Sequence, residues 1–294
     1  MISWNDFKLL TKMKLVYFVM ISGIAGYALG GRVEAPFDPM LFFSFVMGLL
    51  FITMGSFALN QAQEKEIDRA MPRTKDRPVA AGRISIRKAV IISIVLLLIG
   101  SVALYLTGLV PLAVGWFTVF LYNVFYTKIW KPKWVFGAVP GAIPGAMPVV
   151  LGYSALHPNF FTTECLYAFL VMFLWQMPHF WALAIRFKDD YSSGGIPVLP
   201  SELGTEKTLS HMALYTISYV CIAILSPLFV HVAYYFYWCA VIPFALMVAK
   251  EFYSYFKSKA EKNWLSFFLW TNFSMLVFLL APVGDKWLFL FIKA

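Results

Sequence analysis

Asn60, Glu64 and Asp68 fall at i, i+4 and i+8 in the run NQAQEKEIDRAMPRTKDRPVAAGRISIRK, Asn60 to Lys88, a polar stretch between two strongly apolar ones. A helix carried through them stacks three oxygen-bearing side chains along one face, drifting by about 40° per step. Carboxylates one turn apart repel by about 0.3 kcal/mol unless a cation lies between them. A divalent metal turns that cost into a binding site. The same run supplies Arg73, Arg77 and six further cations beside Glu66 and Asp76. Such a mixture suits a magnesium diphosphate, because Mg2+ takes one or two carboxylates plus phosphate oxygens while Arg and Lys neutralise the remaining charge. The competing reading is a solvated loop whose acids balance its cations. The single face running from Asn60 to Asp68 favours the site, because balanced surface pairing does not select one stacked acidic column.

A second stretch, FLWQMPHFWALAIRFKDDY (Phe173 to Tyr191), places Gln176, His179, Leu183 and Arg186 on one helical face that leads to Asp189 and Asp190. Pro178 kinks the helix beside His179. Polar groups at membrane depth are expensive and face a cavity or one another, so His179 is either a hydrogen-bonded interior residue or part of a site. Tyr122, Asn123, Tyr126, Lys128 and Lys131 form a third polar group; the tyrosines read equally as an interfacial belt or as site residues. His157, His211 and His231 lie near predicted span ends and read as interfacial.

The elements that must position these residues are membrane helices. The chain of 294 residues is 61% hydrophobic and 13% charged, with mean hydropathy +0.73, outside the range of soluble domains. Apolar runs of about 17–25 residues suit helices across a roughly 30 Å hydrocarbon core rather than the short alternating strands of a barrel. Nine helices are expected, near 15–31, 40–60, 88–107, 110–129, 135–154, 164–186, 209–230, 233–256 and 264–281, in one transmembrane domain spanning 1–294. With the N-terminus in the cytoplasm, 21 of the 24 Lys and Arg residues fall on that side, which satisfies the positive-inside rule. Two long cytoplasmic loops, 61–87 and 187–208, then hold 8 of the 15 acids, concentrating anions on the basic face.

The net charge of +9 is explained by topology, not by nucleic acid, which needs a basic stripe on a soluble surface. Cys165, Cys221 and Cys239 sit in apolar segments without C-x-x-C spacing, which excludes a zinc knot. The N-terminus has no signal-cleavage pattern, so the first span is expected to insert uncleaved. A transporter would place its ionisable residues near the midplane on broken helices, whereas here the acids gather at the cytoplasmic edge. An assembly factor for terminal oxidases is a third class, distinguished by absence of turnover.

The run from Asn60 through RTKDRPVAAGRIS resembles the first Asp-rich motif of the UbiA-type membrane prenyltransferases. WQMPHFWALAIRFKDDYSSGGIPVLP, Trp175 to Pro200, together with YTKIWKP at Tyr126 to Pro132, is similar to their haem O synthase branch, in order and spacing over nearly the whole chain. The resemblance implies a nine-helix all-α bundle around a central cavity capped by two cytoplasmic loops, in a bacterial inner membrane. It implies farnesyl transfer from farnesyl diphosphate to a vinyl group of haem b, with Mg2+ as cofactor. Asn60, Glu64, Asp68 and Asp190 then serve catalysis; the same residues with Asp189 hold metal. Arg73, Arg77, Lys131 and Lys188 contact diphosphate, and Gln176, His179 and Arg186 belong to the haem-associated stretch. Haem A synthase or terminal oxidase assembly would be partners, and a quinone or chlorin precursor is the rival acceptor. Glu64 stands where the family pattern has Asp, Asp189 and Asp190 are adjacent where the wider superfamily spaces its pair, and LTKMK replaces an LTKPR-like run.

Overall fold

The computed structural model describes residues 2–32, 35–260 and 262–293. Helices α1 (Trp4–Leu10), α2 (Met13–Gly30), α3 (Pro39–Gln63), α4 (Lys65–Ala70), α5 (Ile86–Thr107) and α6 (Leu109–Phe120) come first. A π-helical segment, Leu121–Trp130, then runs into the one-turn α7 (Lys131–Lys133). After it come α8 (Ala138–Leu156), α9 (Thr163–Arg186), α10 (Lys188–Ser193), α11 (Leu199–Glu202), α12 (Thr205–Ile224), α13 (Ile242–Lys257) and α14 (Trp264–Lys293). Among the described residues there is no strand. Eight helical stretches are long and apolar enough to cross a membrane, with Leu109–Lys133 counted as one. The 20-residue α12 completes the set of nine long helices among the described residues.

Helix starts follow their caps. Asp38 accepts from the backbone N–H of Met40 and Leu41, with Pro39 at the first helical position, and Ser85 and Thr162 cap α5 and α9 in the same way. The seventh helix begins four residues before its expected start because Gly204, at φ +83°, breaks the chain there, and Ser226-Pro227 closes it early.

The last helix differs most from expectation, running to Lys293 rather than ending near 281, through Pro282. Its extension is held by charges that the sequence suggested would lie in a loop. Asp285 accepts from the N–H of Phe236 and Tyr237 at 3.0 and 2.8 Å. Lys286 donates to Glu164 at 2.8 Å and to the Leu29 carbonyl. Each charge is buried or nearly so and each is paired, which is what makes burial tolerable. These bonds, with Trp287 Nε1 donating to Ala28 O at 2.9 Å, pin the far end of α14 to α2 and α9.

At the centre, α2 and α8 meet backbone to backbone. A methyl group on Gly152 would lie 1.9 Å from Gly23 O, and one on Gly26 would lie 2.1 Å from Val149 O. Only a strip of small residues lets two membrane helices approach so closely, and dispersion between the packed backbones then holds them. This contact makes α8 the inner wall against which the cavity forms.

Candidate active site

The charged column leaves the bilayer at the C-terminal end of α3. Asn60, Glu64 and Asp68 are each no more than 2% exposed, although they belong to a polar run. Glu64 ends α3 and starts α4, which carries the column onward to Asp68. Every one of the three is held by a partner. Arg77 donates to both oxygens of Asp68 at 2.7 and 2.9 Å. Lys131 reaches from α7 to Glu64 Oε1 at 2.6 Å. Asn60 accepts from Lys12 Nζ at 2.6 Å and donates from Nδ2 to Thr127 Oγ1 at 3.0 Å.

Electrostatics explains how buried acids survive here. Burial pushes Glu64 upward, but Lys131 and Lys12 outweigh it and hold the carboxyl below its ordinary value. Burial lowers the Lys12 ammonium to about 7, with Arg77 and Lys131 pushing the same way against Glu64 and Asp68. Lys12 also has a left-handed backbone, φ +50°, at the break between α1 and α2. A non-glycine residue in that region is costly, and such positions cluster at functional sites. Counted from sequence, Lys12 is only one of the cations of the basic face. Its role rests on a backbone turn and on a contact 48 residues away, neither of which spacing reveals.

The π-helical segment supplies the opposite wall. Asn123 donates from Nδ2 to Ser56 O at 2.9 Å and accepts from Ser56 Oγ at 2.6 Å, so α3 and this segment are zipped together just below Asn60. Thr127 donates to Tyr122 O at 2.8 Å. π-helical turns recur at functional sites because they re-aim side chains that an α-helix would place elsewhere.

The two loops meet over the bundle. Arg73 donates to Tyr191 OH at 3.3 Å and lies over the Phe187 and Tyr191 rings at 5.3 and 5.4 Å. Met71 packs with Tyr191, Ile196 and Val198 beneath. Asp189, exposed, and Asp190, half-buried, open α10 directly before Tyr191, with Lys188 exposed beside them. Among the described residues no three of Asp, Glu, His and Cys converge on a point that could hold a metal ion.

Below the carboxylates lies a cavity of about 330 Å³, walled by α2, α3, the α6–π helix, α8, α9 and α14. Tyr122, Tyr126, Trp175 and Gln176 line it. Gln176 donates to Ala142 O and Met172 O at 3.0 and 2.9 Å. The face expected to run through Gln176, His179 and Arg186 divides. His179 lies between Trp175 and Phe268 at ring distances of 4.7 and 5.0 Å, and Arg186 lies over Trp264 at 5.8 Å, so both turn toward α14. Trp175 Nε1 and His179 Nδ1 are buried without a hydrogen-bond partner. A larger apolar groove of about 880 Å³ opens at the far end between α6, α8 and α9. It contains no carboxylate or cation, so the smaller cavity is the one placed for chemistry.

The sequence profile of the UbiA prenyltransferase family matches residues 19–273. The chain belongs to the UbiA prenyltransferase family. Within it, the chain is 52% identical over 283 residues to a Bdellovibrio bacteriovorus protein named protoheme IX farnesyltransferase, covering 96% of this chain and 97% of that one. A Flavobacterium johnsoniae protein of the same name is 38% identical over 222 residues, 76% of this chain and 73% of that one. Among solved structures, a digeranylgeranylglyceryl phosphate synthase superposes with TM-score 0.74 at 18% identity, covering 95% of this chain and 98% of that one. A UbiA homolog from Archaeoglobus fulgidus, bound to GPP and Mg2+, superposes with TM-score 0.63 at 15% identity, covering 95% and 99%. These likenesses establish the UbiA fold for the nine long helices.

Proposed function

We propose that this chain transfers the farnesyl group of farnesyl diphosphate to a vinyl group of haem b, giving haem O, as an Mg2+-dependent reaction at the loop face of the bundle. The observation that carries it is a pair of buried carboxylates, Glu64 and Asp68, each occupied by a cation on a long side chain, at the mouth of an apolar cavity. The 52% identical relative named for this activity supports the choice of acceptor.

The residues present fit Mg2+. The donors are all hard oxygens, and ammonium and guanidinium groups now fill the positions a cation would take. Two carboxylates suffice, since Mg2+ completes its shell with phosphate oxygens and water. Asn60, Glu64 and Asp68 would hold one ion, and Asp190 or its neighbour Asp189 would serve from the second loop. Mg2+, when bound, supplies positive charge to the leaving diphosphate.

The chain's own residues do the rest. Lys131 and Arg77, freed from Glu64 and Asp68, and Lys12, freed from the Asn60 amide oxygen, would turn to the diphosphate oxygens, joined by Arg73 and by Lys188 from the second loop. Charge that develops on the departing oxygen thus meets preorganised donors, and stabilisation of that kind usually contributes most to the rate of an enzyme. The apolar cavity takes the farnesyl chain and excludes water from the reacting carbon. Haem b would lie along α9, where Gln176 borders the cavity and His179, buried between Trp175 and Phe268, carries an Nδ1 without a hydrogen-bond partner that would meet the iron once those rings part. Arg186, exposed and over Trp264 on the α14 side, would supply a cation for a haem carboxylate outside the cavity.

The single domain lies in the inner membrane with its N-terminus in the cytoplasm, a placement supported by 21 of 24 cations on that side. Haem O would pass to haem A synthase or to terminal oxidase assembly. Purified chain given farnesyl diphosphate and haem b is expected to release diphosphate only when Mg2+ is present. Release without haem b, or turnover undiminished by chelation, contradicts the reading.

A further inference from the structure

The short helix α1 packs on α2 and α3, with Trp4 and Leu9 exposed. Two side chains of the Asn60 to Lys88 run fasten it. At its C-terminal end Gln61 donates from Nε2 to the carbonyls of Leu9 and Leu10 at 2.6 and 3.1 Å. Toward its N-terminal end Asp6 accepts from Arg83 Nε at 2.8 Å, and the same guanidinium donates from Nη2 to Asp76 O at 2.7 Å. Each fastening lies one residue from a group of the site. Gln61 follows Asn60, and Asp76 precedes Arg77, which holds Asp68.

Gln61 is the deeper of the two fastenings, 1% exposed. Both of its partners are carbonyl oxygens, so the NH2 group must face them. Its Oε1 is buried with no hydrogen-bond partner among the described residues. An unpaired buried amide oxygen is costly, and a helix end ordinarily satisfies its last carbonyls with water or with a glycine in the left-handed turn. Here the left-handed residue is Lys12, at φ +50°. Glycine there would relieve the backbone but would also remove the ammonium that reaches Asn60 Oδ1 at 2.6 Å. The Gln61 amide closes the turn without glycine. Leu9 O accepts from the Lys12 N–H at 3.2 Å as well as from Gln61, so one carbonyl joins the amide to the Lys12 backbone. Lys12 is the cation at the cavity end of the column, 5.5 Å from the ring of Phe57, which lines the cavity. Lys131 and Arg77 sit further along, at Glu64 and Asp68.

We infer that Gln61 is a positioning residue, assisted by the Asp6–Arg83 pair, and that it acts through the turn at the end of α1. It aims the Lys12 ammonium at the oxygen through which diphosphate leaves, an inference that rests on the farnesyl-transfer reading. In that step the bond between carbon 1 of the farnesyl chain and this oxygen breaks, and its electron pair stays on the diphosphate. The ammonium meets the charge that develops there with a hydrogen bond and keeps its proton. The vinyl π pair of haem b forms the new bond at carbon 1. Water then adds at the vinyl carbon next to the macrocycle and loses one proton to solvent, with no redox change.

A double-mutant cycle in the full chain, reconstituted into nanodiscs, tests the link. Lys12→Met removes the ammonium, and Gln61→Met removes the amide at nearly unchanged length. Each single variant is expected to slow single-turnover farnesyl transfer to haem b about ten-fold at saturating farnesyl diphosphate. Each is also expected to weaken calorimetric binding of inorganic diphosphate with Mg2+ about ten-fold, because that anion already carries the charge that develops on the leaving oxygen. The double variant is expected to match Lys12→Met alone in both measurements. Losses that multiply, or a Gln61→Met chain equal to the parent, overturn the inference. Should Gln61→Met fail to fold, Asp6→Ala at the partly exposed end of α1 is expected to cost about three-fold in the parent and nothing in the Lys12→Met background; an equal loss in both backgrounds overturns it. A parent chain that binds inorganic diphosphate but transfers no farnesyl to haem b defeats the farnesyl-transfer reading, while the cycle on diphosphate binding still decides whether Gln61 acts through Lys12.

Discussion

Asp68→Asn is expected to reduce farnesyl transfer by about a thousand-fold or more while the chain stays folded in the membrane. Asp68 is as buried as Glu64, 2% exposed, and its two oxygens are both engaged by Arg77. Asparagine keeps the shape and one acceptor oxygen for Arg77. What it removes is the negative charge, and with it a ligand that a divalent cation needs. Arg77 is itself partly exposed, so water can solvate it once its counter-charge is gone. Chromatographic quantification of haem O from purified variant and parent, beside their elution profiles in detergent, checks both halves of the expectation. A variant within ten-fold of the parent would mean that the metal is held elsewhere.

Gly152→Val is expected to have the largest effect on stability. The contact lies between backbones, with Gly23 O 1.9 Å from where the first side-chain carbon must go. No rotamer change relieves such a clash; α2 and α8 have to separate. Overpacking of a core ordinarily costs about 1–3 kcal/mol when side chains can shift. Here the helices themselves must move, and a drop in melting temperature on the order of 10 °C is expected in detergent-solubilised protein. Activity should fall with it, because α2 carries both a cavity wall and, at its N-terminal break, Lys12. An unchanged melting temperature would mean that α2 and α8 are not in backbone contact.

Much of this architecture is written in local pattern. Apolar run length and the distribution of Lys and Arg mark the nine helices, and the i, i+4, i+8 spacing marks the column of Asn60, Glu64 and Asp68. What local pattern misses is long-range. Lys12 and Thr127 enter the site only because the fold brings the break before α2 and the π-helical segment to Asn60. Asp285 and Lys286 lie beyond the end expected for the last helix, near 281, and their burial depends on partners in distant helices. Arg186 shares a helical face with Gln176 on paper, but Trp264 of α14 draws its guanidinium away from the cavity. A helical wheel places side chains on faces; it does not say which neighbour each face meets.

The central claim is tested most directly by mass analysis of haem extracted from membranes of cells with and without this chain. The account predicts a haem heavier than haem b by one farnesyl and one hydroxyl group, present only where the chain is made and lost in Asp68→Asn. The same haem profile with and without the chain would contradict it.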